Sequence, residues 1–420
     1  MRIYSPVQIM LISTVVYLVI LLTSPVSVAN VASIGSANTL VGFFVCLTSG
    51  LLIGSRRVRS LIVSIPIDLE RVDRLKWGLV AIGGLGMGLR IIERVYFRMG
   101  GTVTTDFMVN RDLVTQSGSM PLAMLAALLA PLLYFLPISV FMLRGSGIRR
   151  RSDYLFLWAS SAYGFFDGMF FGSRSAALIL VAIMVVAYLT MGAPRIRVRT
   201  IIFWIVGLIA FIWLSGQIFW TRTSQMGIDP IESLSLSAPA YMVTLDHSVL
   251  ATIGSASNDG YAGLLYGYST TSQYLLLGLP EFLNLVDNFT GDHTYGMQLF
   301  YVPAKILWVV TRQPGTIEDF MYKHMLRIGV YTTFFGPVFY DYGVSGGLLA
   351  CLILGFLGGH LTRRLRKGSV HLIIPYVVIT AFLPFTVVVN LFVTGVGQCL
   401  MIDAFVLLVA INRRRFRLNA

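Results

Sequence analysis

The amino-acid sequence predicts an all-α, polytopic integral membrane protein with about 10–12 transmembrane helices and one large extramembrane loop. Three observations carry this. Of the 420 residues, 56% are hydrophobic and 12% charged, with a mean hydropathy of +0.77, whereas a soluble domain carries about 25% charged residues. The apolar residues come in blocks about 17–25 long, the length that crosses a bilayer. Lysine and arginine collect in alternate gaps between the blocks, the signature of fixed orientation.

In chain order, the expected spans cover 7–28, 31–54, 77–93, 120–143, 154–171, 175–192, 200–219, 333–360, 371–394 and 395–411. The first follows Arg2 and precedes small residues near 27–32, as a signal peptide would. Its long apolar core and the span that follows at once predict a retained helix. The chain therefore divides into helices one to seven (1–219), a large loop (220–332) and the last helices (333–420). No internal repeat is visible.

If the spans alternate, 22 of the 32 basic residues fall on one side: Arg2, six between Arg56 and Lys76, four between Arg144 and Arg151, three between Arg195 and Arg199, four between Arg363 and Lys367, and four between Arg413 and Arg417. The positive-inside rule makes that side cytoplasmic, with both termini there. The net charge of +13 is thus mostly a topology signal. No basic patch interleaved with aromatics argues for nucleic acid. Cys46, Cys351 and Cys399 are embedded in apolar spans, and they predict small core residues without a disulfide framework.

The 113-residue outer loop is too long to lack structure of its own. Residues 233–254, 261–279 and 297–310 are moderately apolar and predict amphipathic helices on the outer leaflet; one pair acting as a true hairpin would raise the spans to twelve. Gly/Asn/Asp-rich turns separate them at 255–260 and 287–292.

The charges that topology does not explain point to function, because an ionisable group in or at the end of a span is expensive. Arg174 lies in Gly172-Ser173-Arg174-Ser175, a turn between two apolar helices. Arg90, Glu93, Arg94 and Arg98 cluster at the outer end of the third span, with Arg90 and Arg94 on one helical face. Arg111 sits in the following loop, Arg222 just after the seventh span, and Arg327 shortly before the eighth. Asp341 is set in apolar sequence, where Gly343, Gly346 and Gly347 permit close helix packing or a local break. Among the histidines, His293 in the Asp292-His293 turn is the best candidate base. The sequence contains no DxD, HExxH or GxxxxGK[ST], so neither a metal nor a nucleotide cofactor is expected. Guanidinium matches phosphate oxygens bidentately and keeps its charge when desolvated. The expected ligand is an anionic lipid head such as a diphosphate.

The late large loop, the Gly-Ser-Arg-Ser turn opening a helix, and the aromatic stretch into Gly336-Pro337, Tyr340-Asp341-Tyr342-Gly343 and Gly346-Gly347 together resemble the bacterial oligosaccharide repeat-unit polymerases, also called O-antigen polymerases. The resemblance implies a fold like the membrane-embedded GT-C-type glycosyltransferases, in the bacterial inner membrane with the active site facing the periplasm. It further implies metal-independent transfer of a growing, undecaprenyl-diphosphate-linked chain onto the incoming lipid-linked repeat unit. A flippase and a chain-length regulator of the same pathway are the partners it suggests, besides the bilayer. In this scheme Arg174, Arg222, Arg94, Arg327 and Arg111 bind the diphosphate, and Asp341, Glu93 and His293 compete as the base. An O-antigen ligase, or a lipid-linked oligosaccharide flippase or exporter, are the alternatives.

Overall fold

The computed structural model describes residues 3–28, 32–56, 68–101, 113, 120–148, 150–171, 174–192, 198–255, 260–327 and 332–416. It is almost wholly helical. The helices are α1 (Pro6–Thr23), α2 (Ile34–Ser55), α3 (Leu69–Ile91), α4 (Met120–Leu129), α5 (Leu136–Gly145), α6 (Ser152–Phe171), α7 (Arg174–Ala187), α8 (Val198–Gln225), α9 (Pro230–Ala240), α10 (His247–Ser255), α11 (Gly260–Leu276), α12 (Gly278–Asn288), α13 (Tyr301–Val310), α14 (Ile317–His324), α15 (Phe335–Arg366), α16 (Ile373–Phe382) and α17 (Gly395–Phe416).

Among the described residues, five helical stretches are long and apolar enough to cross a membrane: Pro6–Thr23, Ile34–Ser55, Leu69–Arg98, Pro121–Gly145 and Phe335–Arg366. Large apolar side chains such as Leu22, Ile34, Trp158 and Phe405 face outward, the reverse of a soluble surface and what lipid-facing helices require. The architecture is that of an all-α membrane protein.

The expected spans meet helices along their length, with informative departures. Leu69–Arg98 runs beyond its expected span at both ends, and its last seven residues, Ile92–Arg98, widen into a π-helix. The fourth span narrows into a 3-10 turn, Ala130–Phe135, between α4 and α5, where Pro131 lacks the N–H an α-helical bond needs. The ninth stops early: helical structure ends at Phe385, and 386–394 folds as a buried turn. Such non-helical backbone is tolerated at membrane depth only when protein encloses it.

The outer segment also departs from expectation. Residues 233–254 do not form one helix: α9 ends after Pro239, Met242 takes a positive φ of 55°, and Val243–Leu245 forms a strand. It pairs antiparallel with Val26–Val28, Val26 opposite Leu245, and the Ser27 and Thr244 hydroxyls hydrogen-bond at 2.7 Å. This ribbon is the one correction to an all-α reading among the described residues. Helix α11, from the expected 261–279 stretch, packs along α8, where a Cβ on Gly216 would lie 2.5 Å from the Gly267 Cα. Helix α13, with no buried residue and with Leu307, Val309 and Val310 exposed, keeps the character of an interfacial helix.

The closest helix pair is α2 with α15. A Cβ on Gly50 would lie 2.2 Å from the Leu352 carbonyl oxygen, one on Gly54 2.3 Å from that of Phe356, one on Gly355 2.2 Å from that of Leu47, and one on Gly359 2.3 Å from that of Leu51. Rising numbers meet rising numbers, so the two helices run parallel. Glycine at four-residue spacing on both lets the backbones touch, which substitutes for the hydrophobic drive that lipid cannot supply. Gly347 joins the same seam against the Phe43 ring. At one end of α15 lie Arg363, Arg364, Arg366 and Lys367, and Arg366 donates to the Ile3 carbonyl oxygen at 3.2 Å, bringing the start of α1 to this basic end. The opposite, distal end carries Ser33, whose backbone N–H and hydroxyl donate to Asp287 of α12.

A buried ionic cluster joins α3 to α6. Lys76, wholly buried, lies 2.9 Å from Asp73 and 3.3 Å from Asp153. Its ammonium also sits 5.7 and 5.4 Å from the Trp77 and Phe156 ring centroids. Lys76→Met is expected to cost about 3–5 kcal/mol by leaving a buried carboxylate without its cation. Unfolding midpoints in detergent measure this, and adding Asp153→Asn should recover part of the loss.

Candidate functional site

The site forms at the distal end of α15. Its first turns are held from both sides: Phe334 N–H donates to the Thr386 carbonyl at 2.9 Å, and nine residues later Gly343 breaks the helix with φ 63° and ψ −162°. That φ is open to glycine and strained for other residues. The break ends a short helical segment whose last carbonyls are then free of helical partners. Two of them are taken by the preceding loop: Thr294 N–H donates to Tyr340 O at 3.0 Å and Tyr295 N–H to Asp341 O at 3.1 Å.

Asp341 completes this attachment. Its carboxylate accepts from the Thr294 hydroxyl at 2.5 Å, the Gln298 backbone N–H at 3.0 Å and the Leu299 backbone N–H at 2.7 Å, and the residue is wholly buried. A carboxylate so enclosed by donors holds a loop in place. His293 joins the same knot. Its Nδ1 donates to Tyr340 O at 3.2 Å, its ring stacks on Phe289, and its Nε2 faces Gly343 so closely that a Cβ there would lie 2.7 Å away.

The loop so fixed closes one wall of a cavity of about 280 Å³. Glu281 and Asn284 of α12, Gln298, Arg327, Tyr340 and Asn390 supply its polar lining. Arg327 Nη1 donates to Glu281 Oε1 at 2.5 Å, and Nη2 donates to the Ala240 carbonyl oxygen that ends α9. Glu281 is 3% exposed; burial raises its carboxyl above the usual range, and the Arg327 charge offsets only part of this. Tyr340 Oη accepts from Leu326 N–H at 3.0 Å, tying the segment that carries Arg327 to α15. Gln298 is 4% exposed, and its side-chain Nε2 has no hydrogen-bond partner among the described residues.

Three of the residues singled out in the sequence thus gather here: Arg327 on the cavity, with Asp341 and His293 behind its wall. Glu93 and Arg94 lie on the π-helix of α3 and do not line this cavity. Glu93 meets Arg98, five residues on, at 2.5 Å, a spacing that π-helical winding brings onto one face. Arg174 opens α7 and Arg222 lies in the last turns of α8; their side chains, and the whole of Arg111, fall outside the described residues. Glu281, Gln298 and Asn390 were not singled out. The signal for Glu281 was a lone acid within the apolar stretch 275–285, the same anomaly that marks Asp341.

Asp341→Asn is expected to lower stability by roughly 2 kcal/mol, since hydrogen bonds to a charged acceptor are worth about 1.5–3 kcal/mol each and the amide retains only some of them. Protease sensitivity of the 291–300 loop reports the release, and an unchanged cleavage pattern would count against the holding role. Compared with protein-family models, curated proteins and solved structures, the chain matches none of them.

Proposed function

We propose that this protein is a glycosyltransferase of the bacterial inner membrane that polymerises undecaprenyl-diphosphate-linked oligosaccharide repeat units at the periplasmic face. The observation that carries the reading is the Arg327–Glu281 pair, a guanidinium and a carboxylate lining one cavity at the end of the bundle remote from the basic cluster. Glycosyl transfer from a lipid diphosphate leaves charge on the departing phosphate oxygen, and a positioned guanidinium stabilises it where it develops. Arg327 takes that role. Arg174, Arg222, Arg94 and Arg111 are further phosphate ligands in this proposal, drawn from the chain's distal-end arginines. Asp341 is assigned to holding the cavity wall, and His293 to bracing the break at Gly343.

The test is direct. Purified protein in liposomes, given lipid-linked repeat units, is expected to yield a ladder of lengthened glycans with release of lipid diphosphate. Movement of the lipid-linked unit across the bilayer without new bonds would replace this reading with a flippase. Transfer only after a lipid A acceptor is added would replace it with a ligase.

A further inference from the structure

A polymerase needs two things the phosphate contact does not provide: a place for the acceptor sugar and a group to take its hydroxyl proton. Among the described carboxylates, Asp341 is surrounded by donors and Glu93 is paired with Arg98 on another helix. Glu281 alone of the three faces the cavity. Its partner among the described residues, Arg327, is also the cation a diphosphate would recruit. Amides and hydroxyls of Gln298, Asn284, Asn390, Thr332, Thr394 and Tyr340 are set among apolar side chains in its lining. Such groups match the hydroxyls of a sugar ring. Gln298 lines the cavity, and its Nε2 is buried without a partner among the described residues, a costly arrangement unless a bound group supplies the acceptor. At about 280 Å³ the cavity falls just below the ~300–1,000 Å³ of drug-sized sites. That suits a single sugar residue, with the rest of the glycan outside.

We propose that this cavity receives the terminal sugar of the acceptor, that Gln298 donates a hydrogen bond to it, and that Glu281 is the proton acceptor for its attacking hydroxyl, unlocked when the lipid diphosphate draws Arg327 away. The proposal rests on the glycosyl-transfer reading above. In the step, the acceptor oxygen forms a bond to the anomeric carbon of the donor and gives its proton to Glu281. The bond from that carbon to the phosphate oxygen breaks, and the electron pair leaves with the lipid diphosphate, whose charge Arg327 meets. Glu281 afterwards releases its proton to water, and Arg327 returns. Pairing at rest keeps the carboxylate from acting as a base before the donor arrives. Its burial favours a strong base once the cation has moved.

The experiment uses the full chain in liposomes with lipid-linked repeat units. Glu281→Gln is expected to lower turnover by about 10²–10⁴-fold, the usual contribution of a positioned base, while polyprenyl diphosphate binds at least as tightly as to the unaltered protein. Azide separates a chemical role from a structural one. It attacks the anomeric carbon without a proton to lose, so E281Q supplied with azide should release lipid diphosphate and form a glycosyl azide. Gln298→Leu is expected to raise the acceptor KM about tenfold, the worth of one hydrogen bond, with little change in kcat. If the unaltered protein elongates and E281Q keeps its turnover, or E281Q binds polyprenyl diphosphate yet yields no azide product, the assignment of Glu281 is overturned alone. If the unaltered protein does not elongate, the glycosyl-transfer reading itself falls. Should E281Q fail to insert, Glu281→Asp decides: it keeps the charge but withdraws it by one methylene. Reduced turnover supports the assignment, and unaltered turnover overturns it.

Discussion

Replacing Arg327 by alanine is expected to slow chain elongation by about 10²–10³-fold, the typical loss when a preorganised donor to developing negative charge is removed. Arg327→Lys should recover only part, because an ammonium lacks the planar fork that meets two phosphate oxygens at once. The substitution also strands Glu281, which is buried, so a loss of folding must be told apart from a loss of chemistry. The double variant Arg327→Ala/Glu281→Gln does so: it should fold more stably than Arg327→Ala and remain inactive. Turnover with lipid-linked repeat units, alongside the unfolding midpoint in detergent, measures both. Unchanged turnover in Arg327→Ala would move the phosphate role to Arg174 or Arg222.

Gly355→Leu is expected to be the most damaging change to the fold. The Cβ alone would stand 2.2 Å from the Leu47 carbonyl oxygen, and a backbone atom of a packed helix cannot rotate aside as a side chain can. The helices must separate, losing the contacts of Gly50, Gly54 and Gly359 as well. Overpacking usually costs about 1–3 kcal/mol, and a seam of backbone contacts should reach the top of that range or exceed it. Gly84→Leu is the control: a Cβ there meets nothing within 4 Å, and its stability should be unchanged or slightly raised, since glycine is a poor helix former. Equal effects of the two would dissociate stability from the α2–α15 contact.

The apolar runs made the helices legible because lipid imposes one requirement on every span, a length of apolar residues. What lipid does not impose was harder to read. The early end of the ninth span depends on 386–394 being enclosed by other elements, and the Val26–Val28 strand depends on a partner in the distant outer segment. Asp341 was visible as a charge out of place. Its role was not, because it is held largely by backbone N–H groups, those of Gln298 and Leu299 among them, which every residue but proline carries. Glu281 carried the same mark, a lone acid in an apolar stretch, but its role as a cavity group depends on the approach of Arg327, 46 residues away. The glycine reading of the eighth span was right in both its branches, on different residues, with Gly343 breaking the helix and Gly347 packing it.

The parallel seating of α2 on α15 also has a consequence for how the protein is made. The partners of Gly50 and Gly54 lie about 300 residues downstream, and the Ile3 carbonyl waits for Arg366, 363 residues later. At about 5–20 residues per second, α2 spends roughly 15–60 s in the membrane before its glycine face meets the helix that covers it. Membrane insertion and folding are therefore separate events in this chain. A nascent chain halted before residue 335 holds its first helices in lipid without the contact that fixes their rotation, and the last third of the protein decides whether the first third is ever locked.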